Sequence, residues 1–173
     1  MKLVRFAENG TARYGVLDGD IVRPTDATTL QDALAITGLD ALPVPLKTLD
    51  LLAPVERPRK ILGIGVNYAA HAAESVSFVD TKSPQVQKWF NKQATSANKP
   101  FGRVHLPKVS DQLDYEVELV VVIGKHGRHV PRERAMEIVA GFCVGCDYSV
   151  RDWQRASQTM IMGKGFDTHA PFG

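Results

Sequence analysis

Apolar and polar positions alternate over short stretches at the start of the chain. Lys2 to Ala7 and Arg13 to Leu17 read as half-buried strands, and Asn9-Gly10 between them supplies a hairpin turn. Asp18-Gly19 gives a second turn before a third short strand, Ile21 to Arg23. The period then changes. A helix is predicted from Thr29, whose side chain can cap it with Asp32 three residues on, and Gly38 is placed to end it. Four prolines between Pro43 and Pro58 exclude a long helix or strand there and mark a boundary between a small module, residues 1–57, and a larger unit, residues 58–173.

The second unit opens with an apolar strand, Lys60 to Ile64, followed by GVNYAAHAAE, where alanines favour a helix over Asn67 to Glu74. Ser75 to Pro100 is polar and interrupted by prolines. A connection of that length in a compact domain is a lid, a binding loop or disorder, and the lid is placed at residues 67–101. Next comes DYEVELVVVIG, in which Val120 to Ile123 form an apolar run that looks buried. A short helix from Pro131 to Val139 and a last strand from Gly141 to Val150 complete the pattern.

Bulk properties narrow the function classes. With 173 residues the chain can bury a core. A formal charge of +2, from 21 basic and 19 acidic residues, gives no field suited to nucleic acid or an anionic membrane. The longest apolar run is far short of a bilayer span. Cys143 and Cys146 do not make a disulfide scaffold, so a reducing cytoplasm is the expected setting. Gly63 and Gly65 do not form a dinucleotide fingerprint, because the third glycine and the acidic partner are missing.

The chemistry concentrates on carboxylates. Glu116 and Glu118 are two apart in a strand, so both side chains project from one face. Like charges held that close raise each other's pKa or take a cation between them, and hard oxygen donors suit Mg²⁺, Mn²⁺ or Ca²⁺. The spacing is equally that of two glutamates on a wet strand face. Asp147, in GFCVGCDYSVRDWQ, would sit in the same sheet as a third ligand, or be an ordinary turn aspartate.

His71 and Glu74 are three apart on the expected helix and can touch on one face. A carboxylate that holds an imidazole makes a general base for activating water; an exposed helix histidine beside a casual neighbour has the same spacing. Arg151, Gln154 and Lys164 follow Asp147, and such groups hold carboxylates and developing oxyanions when they are not plain surface charge. The Cys143-x-x-Cys146 pair lies mid-strand, without the helix start of a redox motif or a second pair for zinc, and reads as two small core residues. His105, His126, His129 and His169 show no ligand spacing.

Taken in order, GVNYAAHAAE, LPKVSDQLDYEVELVVVIGK, AGFCVGCDYSVRDWQ and KGFDTHAPFG resemble the fumarylacetoacetate hydrolase family from about Lys60 to the last residue. The leading module also looks like that family's small N-terminal domain. The resemblance implies an α+β, mostly β fold: a mixed β-roll, here incomplete, with a small α/β module in front. It implies Mg²⁺ or Mn²⁺ held by Glu116, Glu118 and Asp147, with His71 and Glu74 as a lid dyad orienting water. Arg151 and Gln154 would hold the substrate, and Lys164 would act at the oxyanion.

The implied substrates are small 2-oxo and β-diketo acids. Hydrolysis of a C–C bond in acylpyruvates is the first expectation, and hydroxymuconate-type isomerisation or oxaloacetate decarboxylation the alternative. A non-catalytic metal-binding or assembly module is a reading of another class, and a thiol-redox protein a weaker third. A homodimer is implied by resemblance alone. Two departures stand out: Cys146 replaces an asparagine common in the family, and THAPFG stops where members continue through a glycine- and threonine-rich second half of the roll. Strands that should pair there would leave bare edges and exposed apolar surface.

Overall fold

The computed structural model describes residues 1–68 and 87–173. Strands β1 (Lys2–Glu8), β2 (Thr11–Asp18), β3 (Ile21–Pro24), β4 (Val44–Pro45) and β5 (Asp50–Leu52) make one sheet in the order β4-β3-β2-β1-β5, with every pairing antiparallel. The β1–β2 turn is tight because Asn9 and Gly10 both take left-handed backbone, at φ 49° and 79°, which matches the twist of the flanking strands. Helix α1 (Leu30–Leu34) starts where expected: the Thr29 hydroxyl accepts from the Asp32 N–H at 3.2 Å. It stops at Ala35, before Gly38. Tyr14, Ala27 and Ala33 bury themselves against Leu3, Leu30 and Ile36 to close this module's core.

The second unit is built from hairpins and short bridges. β6 (Ile61–Gly65) pairs antiparallel with β7 (Lys88–Lys92), so the end of the expected lid is a strand. Lysines at both ends of KWFNK hide that strand in the sequence. Its register puts Phe90 over Gly63, where any Cβ would run into the ring. A short strand β8 (Ala97–Asn98) follows, also inside the expected lid, and pairs parallel with the last strand, β13 (Ala170–Pro171). The helix expected from Asn67 to Glu74, and with it His71 and Glu74, falls beyond Tyr68 outside the described residues.

β9 (Leu113–Asp114) precedes β10 (Val117–Ile123), which pairs antiparallel with β11 (Val139–Cys146) through a 3₁₀ turn over Arg132–Ile138. Burial alternates along β10. The face carrying Glu118, Val120 and Val122 is half-buried, whereas Val117, Leu119, Val121 and Ile123 are exposed. The expected burial of the whole run therefore holds for one face only. Phe142 and Val144 on β11 extend the exposed apolar side.

The strand expected from Gly141 to Val150 is broken at Asp147 and Tyr148 and resumes as β12 (Ser149–Val150), paired with β9. Helices α2 (Arg151–Ala156) and α3 (Ile161–Lys164) then pack on each other. Among the described residues no helix is long and apolar enough to cross a membrane.

Candidate active site

Four backbone positions aim the polar groups at one place. Glu116 immediately precedes β10, and its carbonyl accepts from the Asp147 N–H at 2.8 Å, so the β10–β11 ladder continues past the strand ends and sets the two carboxylates side by side. The break after β11 turns the Asp147 side chain inward, where it is almost fully buried. β12 contributes Ser149, and the short helix α3 delivers Lys164 from the opposite side.

Lys164 is the centre of the cluster. Its side chain is 2% exposed, and its Nζ donates to Asp147 Oδ2 at 2.5 Å and to Glu116 Oε1 at 2.8 Å. The Phe90 ring lies under the ammonium, 4.7 Å from Nζ to the centroid. The approach of α3 depends on Gly163. A Cβ there would lie 2.6 Å from both Cα and Cβ of Gln154 and closer still to its backbone nitrogen.

Glu116 is held on three sides. Besides Lys164, Ser149 Oγ donates to Oε1 at 2.5 Å and Arg151 Nη1 pairs with it at 2.8 Å. Burial alone would raise this carboxyl's pKa, but the bonds from Lys164 and Ser149 and the charges of Lys164 and Arg151 outweigh it and hold the group below its ordinary range. Glu118 goes the other way. Burial pushes its pKa up, a contact with the Tyr68 hydroxyl opposes this, and the charges of Asp147 and Glu116 add to the rise.

Arg151 and Gln154 sit together at the rim. The guanidinium uses Nε and Nη2 on Asp114 Oδ2, at 2.9 and 2.7 Å, and Nη1 on Gln154 Oε1 at 2.8 Å. Most of its donors are therefore engaged within the chain, fixing Asp114, Gln154 and Glu116 relative to one another. Arg151 and Gln154, which the sequence offered as substrate-holding residues, are hydrogen-bonded neighbours.

Two groups of the cluster carry no sign in the sequence. Lys92, the last residue of β7, is 5% exposed and donates from Nζ to Asp147 Oδ1 at 2.7 Å and to the Tyr148 carbonyl at 2.9 Å. Burial lowers its pKa, and the Asp147 charge opposes that shift. A lysine at the end of a polar strand carries no local sign of burial; only the β6–β7 pairing reveals it. Ser149 was equally silent, as one hydroxyl in a short run.

His169 is fully buried against Tyr148 and Phe166, with Nε2 2.9 Å from the His105 carbonyl, while Nδ1 has no hydrogen-bond partner among the described residues. Cys143 and Cys146, three apart in β11, face opposite sides, and burial raises both thiol pKa values. That arrangement suits neither a disulfide nor a reactive thiolate.

The cluster's donors fit a hard divalent cation in kind: three carboxylates, with no sulfur or imidazole among them. As they stand, Glu116 and Asp147 close on Lys164, and among the described residues no three acidic, histidine or cysteine side chains are grouped tightly enough to hold an ion.

Residues 60–173 match the fumarylacetoacetate hydrolase C-terminal family, and residues 1–54 match an N-terminal family described as Rv2993c-like. The chain is 44% identical over 135 residues to the human mitochondrial oxaloacetate tautomerase FAHD2A, a match covering 76% of the chain and 42% of that protein. It is 42% identical over 174 residues to the Bos taurus FAHD2A protein, covering 99% of the chain and 49% of the relative. The chain therefore spans less than half the length of these curated relatives.

Among solved structures, the fumarylacetoacetate hydrolase of Exiguobacterium antarcticum superposes with a TM-score of 0.80 at 30% identity, covering the whole chain and 65% of that structure. A 5-carboxymethyl-2-hydroxymuconate delta-isomerase from Mycobacterium smegmatis gives 0.80 at 29% identity, with the same two coverages.

Proposed function

The chain belongs to the fumarylacetoacetate hydrolase family, and from that membership we propose that it carries the cation-binding and enolate-stabilising part of an enzyme acting on small 2-oxo dicarboxylic acids. Interconversion of keto and enol forms is the reaction the site supports best. The observation that carries it is the buried Lys164 ammonium set between Glu116 and Asp147. An enol and its keto form differ in where one proton and one double bond lie, and they interconvert through a common enolate, so the demand on the protein is positive charge at the oxygen and a group to move the proton.

Glu116, Glu118 and Asp147 would hold Mg²⁺ or Mn²⁺. The cation would supply Lewis acidity at the 2-oxo group when bound. Lys164, dry and lying on the Phe90 face, places a fixed positive charge where an enolate oxygen develops without needing to reorganise. Arg151 locks Gln154 and Glu116 at the rim, and a substrate carboxylate would meet this edge of the site. His71 and Glu74 are the dyad proposed to move the proton. The relatives named oxaloacetate tautomerase, at 40–44% identity, favour this reading over cleavage.

Hydrolysis of a C–C bond in acylpyruvates uses the same enolate and is the second reading, supported by the likeness to the Exiguobacterium antarcticum hydrolase. One assay separates the two. Enol-oxaloacetate and acetylpyruvate are followed by ultraviolet absorbance with Mn²⁺ present, and products are identified by chromatography. Accelerated loss of the enol with oxaloacetate intact supports tautomerisation, whereas pyruvate released from acetylpyruvate supports hydrolysis. Activity unchanged in both Glu118→Gln and Lys164→Met would overturn the assignment of the site.

A further inference from the structure

Two buried side-chain atoms, Ser96 Oγ and His169 Nδ1, find no hydrogen-bond partner among the described residues. Both residues are fully buried, and native folds satisfy nearly every polar atom kept from water. Distant in sequence, the two are neighbours in the fold. The parallel pairing of β13 with β8 sets Ala170 opposite Ala97 and Pro171 opposite Asn98. The Thr168 N–H donates to the Thr95 carbonyl at 3.2 Å, which extends the same register towards the start of both strands. His169 therefore stands opposite Ser96, on the rung between. Both orphaned atoms belong to one rung.

Their chemistry is complementary to a single molecule of water. His169 Nε2 lies 2.9 Å from the His105 carbonyl, which can only accept, so Nε2 carries the ring proton. Burial disfavours a second proton on the ring. Nδ1 is then a bare lone pair that needs a donor. The rings of Tyr148 and Phe166 pack near the imidazole, with centroids 6.1 and 5.4 Å away. The Ser96 hydroxyl is a donor, yet it makes no bond to Nδ1. A water gives one hydrogen to Nδ1 and accepts the hydroxyl hydrogen of Ser96, which satisfies both atoms at once.

We propose that the rung formed by Ser96 and His169 holds one buried water, which joins Ser96 Oγ to His169 Nδ1 and ties β8 to the segment backing the carboxylate cluster. The connection onward is continuous. The His169 carbonyl accepts from the Tyr148 N–H at 3.0 Å, and the Tyr148 carbonyl accepts from Lys92 Nζ at 2.9 Å. The same ammonium donates to Asp147 Oδ1 at 2.7 Å. The water is a structural part of the fold and stands apart from any cation or substrate that the cluster takes.

A high-resolution crystal structure of the chain tests this directly. One water within hydrogen-bonding distance of both Oγ and Nδ1 is the expected result. A direct bond between the two atoms, a side chain occupying either of them, or no water between them overturns the proposal.

A second test needs no crystal. Ser96→Ala, His169→Phe and the double variant are compared by urea unfolding at pH 7. Losing either partner already weakens the water's hold, so the second loss should matter less. The double variant's unfolding constant is expected to fall about tenfold short of the product of the two single effects, a coupling typical of groups that share a partner. If His169→Phe does not unfold cooperatively, His169→Leu takes its place in the cycle. Single effects that multiply to within about twofold of the double variant overturn the proposal.

Discussion

Replacing Gly163 by alanine should damage both the fold and the site, and the size of the effect follows from the helix contact. The new Cβ would stand 2.6 Å from Cα and Cβ of Gln154, against an ordinary carbon–carbon separation of about 3.5–4.0 Å. Two of the crowded atoms, N and Cα, are backbone, so no rotamer change relieves the clash. Helices α2 and α3 must part by about 1 Å. Alanine gains at most about 1 kcal/mol in helix propensity over glycine. Overpacking costs about 1–3 kcal/mol.

The displacement also carries Lys164, the next residue, away from Glu116 and Asp147, and each charge-assisted bond weakened adds about 1.5–3 kcal/mol at most. The cost outweighs the gain. A net loss near 2 kcal/mol lowers the melting temperature by roughly 4–8 °C in a chain of this size. Thermal unfolding followed by circular dichroism measures it. Gly141→Ala is the control, since a Cβ there meets nothing within 4 Å. A Gly163→Ala variant that melts within about 1 °C of that control would refute the reasoning.

Other perturbations have equally definite outcomes. Lys164→Met leaves Glu116 and Asp147 facing each other without their cation. It should cost about 3 kcal/mol at pH 7, the low end for breaking a buried pair because Glu116 is partly solvated. Glu116's pKa is depressed, so its contribution is present above the ordinary glutamate range and lost as pH falls through its lowered folded value. The gap between wild type and Lys164→Met in urea unfolding should therefore narrow in acid.

His169 loses stability in the same direction, for a different reason. Burial holds its pKa below the ordinary 6.5 or so, so the folded state resists the proton that the unfolded chain accepts, and stability is lost as pH falls from about 6.5 towards the folded value. His169→Phe should flatten that limb of a stability profile taken between pH 7 and 5. Arg151→Lys cannot reproduce the guanidinium's reach to Asp114, Gln154 and Glu116 together. About 1–2 kcal/mol should be lost in urea unfolding, limited by the half-exposure of Asp114.

How far these features could be read from residues alone varied with how local their causes are. The first hairpin was legible because Asn9-Gly10 carries its own backbone preference, and α1 because Thr29 and Asp32 cap it within one turn. Glu116 and Glu118 shared a face as the strand period demands, and the burial alternation along β10 follows it.

The strand β7 was hidden because its lysines look like surface charge, and Lys92 owes its burial to pairing with β6 and to Asp147, 55 residues away. Arg151 and Gln154 stand close after Asp147 in the sequence, whereas the Asp114 contact that commits the guanidinium lies 37 residues away and leaves no local sign. The half-exposure of Val121 and Ile123 could not be told from an apolar run, which reads the same whether one face or both are covered.

The central claim is that Glu116, Glu118 and Asp147 form a site for one hard divalent cation, and direct Mn²⁺ binding tests it without reference to any substrate. Water-proton relaxation is titrated in the wild type and in Glu118→Gln, which keeps the side-chain shape and the neighbours of the strand but removes one anionic donor. One Mn²⁺ per chain in the wild type, bound at least about tenfold more weakly in Glu118→Gln, is the predicted result. Equal affinity in the two proteins, or no binding in the wild type, would contradict it.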